Sequence, residues 1–82
     1  MGVLDDIVDS KILRILTLFH KNPHDFFHIT RVSDEAKVPI ASAFRIVQRL
    51  DRQGLIESKA ITKFRIYKLS ENKKTETLGK LL

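Results

Sequence analysis

The chain has 82 residues, 15 Lys/Arg against 10 Asp/Glu for a net charge of +5, three histidines and no cysteine. That length fits one small domain over 1–82, which buries only about 60% of its unfolded surface. Disulfides are excluded, three histidines without thiolates make a poor structural zinc set, and dimerisation is the remaining common source of buried area.

The N-terminus, "MGVLDDIVDS", has acids and no basic n-region, so it does not read as a secretory signal. Asp6 spoils a myristoylation match. No apolar run approaches the ~20 residues of a membrane span. A soluble cytoplasmic protein is expected. The charge is uneven: residues 1–30 hold three Lys/Arg and four Asp/Glu, residues 31–68 nine and four, and residues 69–82 three and two. Clustered positive charge is the footprint of a polyanion binder.

Asp9 or Ser10 is the expected N-cap of a first helix, "SKILRILTLFHKN". Ile12, Ile15, Leu16 and Phe19 share one face. Leu13 and Leu18 fall elsewhere, and Val3, Leu4, Ile7 and Val8 add apolar surface upstream. So wide an apolar arc calls for a second partner, and another copy of the chain would serve. Pro23 ends the helix. A short strand is expected at 27–29. Thr30 then caps "RVSDEAK", with Val32 and Ala36 inward. Val38-Pro39 leads into a third helix over 39–53, stopped by Gly54 in a left-handed cap. An antiparallel hairpin over 55–69 follows, its tip within 59–63. Ser70 is the expected cap of a last helix over 71–82, a candidate dimerisation element, with Leu78, Leu81 and Leu82 as its sticky side.

The third helix poses the functional question. Ala43, Ile46, Val47 and Leu50 form its core stripe. Its other side carries Ala41, Ser42, Arg45, Gln48, Arg49 and Arg52, small residues followed by basic ones. Such a face suits a nucleic acid.

Two tightly joined helices, the second basic and followed by a basic hairpin, describe a winged helix-turn-helix: a mainly α domain with a small β wing (α+β). "ITRVSDEAKVPIASAFRIVQRLDRQGLIES" resembles the core of MarR-like, ArsR-like and related archaeal winged-helix regulators over about 10–70. Lys37-Val38-Pro39 stands for their Gly-Val-Ser turn, and Ala41-Ser42-Ala43-Phe44-Arg45 for their Ser-Thr-Val-x-Arg helix start. Leu50 and Gly54-Leu55-Ile56 match directly, and "FRIYKLS" resembles the second wing strand. Two positions depart: Lys37 replaces the common glycine, so the turn is expected to place its left-handed residue elsewhere or to need none, and the wing tip is short and glycine-free.

The resemblance implies a homodimeric regulator of double-stranded DNA, with helix 39–53 in the major groove and hairpin 55–69 as the wing. Ala41 then suits a thymine methyl, Ser42 a base or phosphate, and Arg45 a bidentate guanine contact. Arg49 and Arg52 suit phosphates, and Gln48 an adenine or solvent. Ile40 and Phe44 are the ambiguous pair: Phe44 is expected to pack against the second helix or the wing, and contact with apolar groups of the DNA is the alternative. Lys59, Lys63 and Arg65 suit backbone phosphate. Arg49 and Arg52 also fit ordinary solvated cations near a helix C-terminus. A protein-docking module in a larger transcription or nucleic-acid-processing assembly is the alternative. No enzyme signature or cofactor motif is present. His20, His24 and His28 lose any ligand spacing at Pro23, so no metal site is expected. An effector would have to bind at a dimer seam.

Overall fold

The computed structural model describes residues 10–81. The elements are α1 (Ser10–Lys21), β1 (Phe27–His28), α2 (Ile29–Ala36), α3 (Ile40–Arg52), β2 (Ile56–Ile61), β3 (Phe64–Leu69) and α4 (Lys73–Leu81). The expectations for Val3, Leu4, Ile7, Val8, Asp9 and Leu82 lie outside the described residues.

Periodicity explains most of this order. Ile15, Leu16 and Phe19 of α1 are buried, as are Val32 and Ala36 of α2 and the whole Ala43, Ile46, Val47, Leu50 stripe of α3. These stripes meet the sheet face carrying Phe27, Ile56, Tyr67 and Leu69 in one core. Phe19 and Phe27 pack edge to face with centroids 5.0 Å apart, a geometry worth about 0.5–1.5 kcal/mol beyond area burial.

The sheet has three strands in the order β1-β3-β2, all antiparallel. The sequence suggested β1 but not its pairing. Phe27 lies opposite Tyr67 and His28 opposite Ile66, so β1 joins the wing to the start of α2. The hairpin turn is Thr62-Lys63, and Thr62 takes φ 51° without help from glycine.

Three caps differ from expectation. α2 is capped by His28 rather than Thr30; Thr30 N–H and Oγ reach His28 Nδ1 at 3.4 and 2.7 Å. The helix starts two residues earlier than Thr30 capping would require, because an unprotonated imidazole nitrogen can accept as a hydroxyl does. α4 is capped by Asn72 rather than Ser70. Thr75 N–H donates to Asn72 Oδ1 and Asn72 N–H to Thr75 Oγ1, each at 3.1 Å, a reciprocal box. Ser70 N–H instead donates to Leu55 O at 3.0 Å, so its backbone is tied to the residue preceding β2.

The third difference is the turn between α2 and α3. Lys37 itself takes the left-handed conformation, φ 56° and ψ 51°. That conformation costs a residue with a Cβ about 1–2 kcal/mol. The local bonds offset it: Val38 N–H donates to Ser33 O at 3.0 Å, and Ser33 Oγ to Val38 O at 2.6 Å. Val38, 2% exposed, anchors the turn in the core.

Candidate nucleic-acid interface

α3 is positioned from both ends. Pro39 precedes it with no side-chain cap, so the first-turn N–H groups are left to an outside acceptor, and the turn holds no acid. At the other end Gly54, φ 77°, closes a Schellman turn: Leu55 N–H donates to Leu50 O at 2.9 Å and Gly54 N–H to Asp51 O at 3.0 Å. α4 braces that turn through Asn72 Nδ2 to Gly54 O at 2.8 Å and Lys74 Nζ to Gln53 O at 3.1 Å. A 13-residue helix spans about 20 Å, and its buried stripe fixes which side faces out.

At about 100° per residue, Ala41, Gln48 and Arg52 fall opposite the core stripe. All three are exposed. Ser42, Arg45 and Arg49 lie on the flank toward α1, with Arg45 and Arg49 exposed and Ser42 half-buried. Ile40, Phe44 and Asp51 lie on the flank toward the wing. The helix is a ridge between two clefts. Lys11, Ser42, Arg45 and Arg49 line the first, Phe44, Asp51 and Arg65 the second, and Gln48 and Arg52 border both. Arg52 therefore sits on the mid-line.

The cations of the basic stretch divide into paired and unpaired ones. Arg31 pairs with Glu35 and, at 3.9 Å, with Asp25, and stacks 4.3 Å over the Phe27 ring. Lys68 lies 3.8 Å from Glu57 and 3.6 Å from Glu71. Among the described residues, no carboxylate lies within ion-pair reach of Arg45, Arg49, Arg52, Lys59, Lys63 or Arg65. On the exposed face of α3, Arg45, Arg49 and Arg52 are thus left without ion-pair partners among the described residues.

The wing cations do not form one set. The register places Arg65 opposite Ala60 and Ser58 opposite Tyr67, on the face turned to α3. Lys59 lies opposite Ile66, on the far face with Glu57, Ile61, Phe64 and Lys68. Lys63 occupies the exposed tip. Arg65 also has a structural bond. Its Nη1 donates to Ser58 Oγ at 3.2 Å, and Ser58 Oγ donates to Asp51 Oδ2 at 2.9 Å. This relay ties the wing to α3; Asp51 stands out in the sequence as the one acid near the basic face, but its link to the wing through Ser58 does not. Tyr67 stands nearby: burial pushes its phenol pKa up, Arg65 opposes that and Asp51 adds to it. Phe44, for which packing was the favoured of two expectations, is 44% exposed.

The histidines are dispersed. His20 Nδ1 lies 2.9 Å from Leu16 O and Nε2 3.1 Å from Thr75 O, pinning α4 to α1. His24 is 3.7 Å from Glu71, and His28 caps α2. Among the described residues no helix is long and apolar enough to cross a membrane.

No protein-family model and no curated protein sequence matches the chain. Solved structures do. The ferric uptake regulator of Francisella tularensis, solved with iron, is similar with TM-score 0.70 at 23% identity, over 77% of this chain and 52% of that one. This chain thus spans about half the length of that regulator. Reduced HlyU from Vibrio cholerae N16961 matches with TM-score 0.71 at 18% identity, over 98% of this chain and 80% of that one. The homodimeric winged helix-turn-helix DNA-binding domain Mb0332 (fragment 1–100) from Mycobacterium bovis, a possible ArsR-family regulator, matches with TM-score 0.69 at 17% identity, over 92% of this chain and 66% of that one. At these identities the likeness is one of fold, and it agrees with the element order: the chain is a winged helix-turn-helix domain.

Proposed function

We propose that the chain is a sequence-specific, double-stranded DNA-binding transcriptional regulator. It acts as a homodimer in the cytoplasm, with α3 in the major groove and the β2–β3 hairpin as the wing. The observation that carries this is the ridge of Arg45, Arg49 and Arg52. They are exposed on one helix and lack carboxylate partners among the described residues, while Arg31 and Lys68 of the same stretch are neutralised. Solved neighbours named as regulators or DNA-binding domains, one of them homodimeric, support it.

In this reading Arg45 takes a guanine edge, Ser42 and Gln48 read neighbouring bases or phosphate, and Ala41 lets the helix axis approach. Arg49, Arg52, Lys59, Lys63 and Arg65 take phosphates. Two α3 helices in a dimer would sit about one turn of DNA apart and read a pseudo-palindrome. Blocking a promoter by occupancy is the simplest consequence, which makes repression the favoured mode.

The test is duplex binding by fluorescence anisotropy across a salt series, beside a mass measurement in solution. A DNA reader gives a log affinity that falls steeply with log salt. Absence of binding to genomic fragments at low salt would end this reading.

One observation favours a protein-docking module instead. Phe64 and Ile61, 59% and 46% exposed, lie opposite each other on the far face of the wing, where the His28 ring meets Phe64 edge to face. A stoichiometric protein partner captured through that face, with α3 uninvolved, would support it.

A further inference from the structure

The flank of α3 toward the wing is apolar where a solvated or purely phosphate-binding helix would be polar. Ile40 and Phe44 are one helical turn apart, and Ile40 is 51% exposed. Leaving such side chains half in water forgoes a substantial part of the burial energy available to them. Phe44 opens into the cleft shared with Gln48, Asp51, Arg52 and Arg65. An aromatic ring therefore stands between guanidinium groups from the helix and from the wing.

The charges around the ring limit what can enter. Arg52 and Arg65 suit polyanionic strands on either side. Asp51 is held in place by Ser58 Oγ at 2.9 Å, so a phosphate oxygen pushed to that end of the cleft meets a fixed carboxylate. The occupant that suits an apolar centre with cationic rims is a base edge flanked by phosphates. In the major groove, the base edges offer one apolar group, the C5-methyl of thymine. Ala41, exposed on the adjoining mid-line, adds a third apolar contact beside Gln48.

We infer that Ile40 and Phe44 read thymine C5-methyl groups, so that the preferred duplex carries thymines on the wing side of the base pair met by Arg45. The inference rests on the DNA-regulator reading and adds the sequence class that its groove accepts. It also assigns a role to the two residues of α3 that a purely basic interface leaves unused.

The experiment separates the two readings. The full chain selects a duplex from random fragments. Each thymine of that duplex is then replaced in turn by deoxyuridine, which deletes one methyl and keeps pairing and phosphate charge. One or two positions should lose about fourfold in affinity each, the worth of one buried methyl. Phe44→Ala should bind the thymine duplex more weakly and no longer distinguish it from the uracil duplex at one of those positions. Phe44→Leu should keep part of the discrimination. The slope of affinity against salt should stay as in the parent chain, because no cation is removed. If the parent chain binds its selected duplex tightly and is indifferent to every uracil, the inference is overturned and the regulator reading stands. If it selects no duplex, both fall.

Discussion

The two flanks of α3 use the same helix in different ways. Toward α1 the ridge is polar and basic, with Ser42, Arg45 and Arg49 along a cleft that Lys11 also lines. Toward the wing, apolar Ile40 and Phe44 are followed by Asp51, and Arg65 faces them from β3. The guanidinium groups of Arg45 and Arg49 have no carboxylate within reach among the described residues. Arg65 on the wing is instead committed to Ser58 and, through it, to Asp51. Both clefts hold cations, Lys11, Arg45, Arg49 and Arg52 in the first and Arg52 and Arg65 in the second, but they are held differently. The geometry makes one a basic cleft in which Arg45 and Arg49 have no carboxylate within reach among the described residues, and the other a braced joint with an apolar opening.

Arg45→Ala should break the comparison most sharply. Removing a bidentate base contact costs about 1–3 kcal/mol and relaxes discrimination at one base pair. The measurement is affinity for the selected duplex against variants at each position. Equal loss on every sequence would reassign Arg45 to the backbone. Arg49→Ala should act in that second way, weakening all duplexes together and reducing the salt slope by about one. The two outcomes together separate base reading from phosphate binding within the first cleft.

On the wing side the expected effect is smaller and structural. Ser58→Ala removes the hydroxyl between Arg65 and Asp51, with an expected cost of about 1 kcal/mol. Urea denaturation should show a lower midpoint with an unchanged slope. A midpoint equal to the parent's would mean that the relay does not brace the wing.

Much of the first cleft was legible in the sequence, and little of the second. The α3 stripe follows from helical spacing alone, and Gly54 announces its end, so the residues opposite the stripe could be named in advance. The wing depends on register. Expecting the hairpin tip somewhere within 59–63 left the face of each strand residue undetermined, and a one-residue slip reverses every side chain. Lys59 and Arg65 therefore read alike in the sequence, whereas the turn at Thr62-Lys63 places them on opposite faces. Asp51 and Ser58 are seven residues apart, and only the Schellman turn at Gly54 folds one back onto the other. Lys37 shows a different limit. Nothing in a lysine announces a left-handed backbone; the demand comes from the Ser33–Val38 bonds around it.

Tyr67 offers the finest test of the joint, because both of its charges act on one phenol. Its pKa is raised in the folded chain, chiefly by burial. The unfolded chain then loses its phenolic proton first, near the ordinary value of about 10. Below that pH both states hold the proton, and Tyr67 adds no pH dependence. Above it the folded state binds more protons than the unfolded one, so stability falls as pH rises, until the folded phenol also ionises. Tyr67→Phe should remove that part of the fall, read as the difference between the two unfolding curves in mildly alkaline and strongly alkaline buffer. The charges sharpen the test in opposite directions. Arg65 lowers the phenol's pKa and Asp51 raises it. Arg65→Ala should therefore deepen the alkaline loss, and Asp51→Asn should shrink it. A common direction for the two variants would mean that the phenol senses a general loosening of the wing rather than the separate fields of its neighbours.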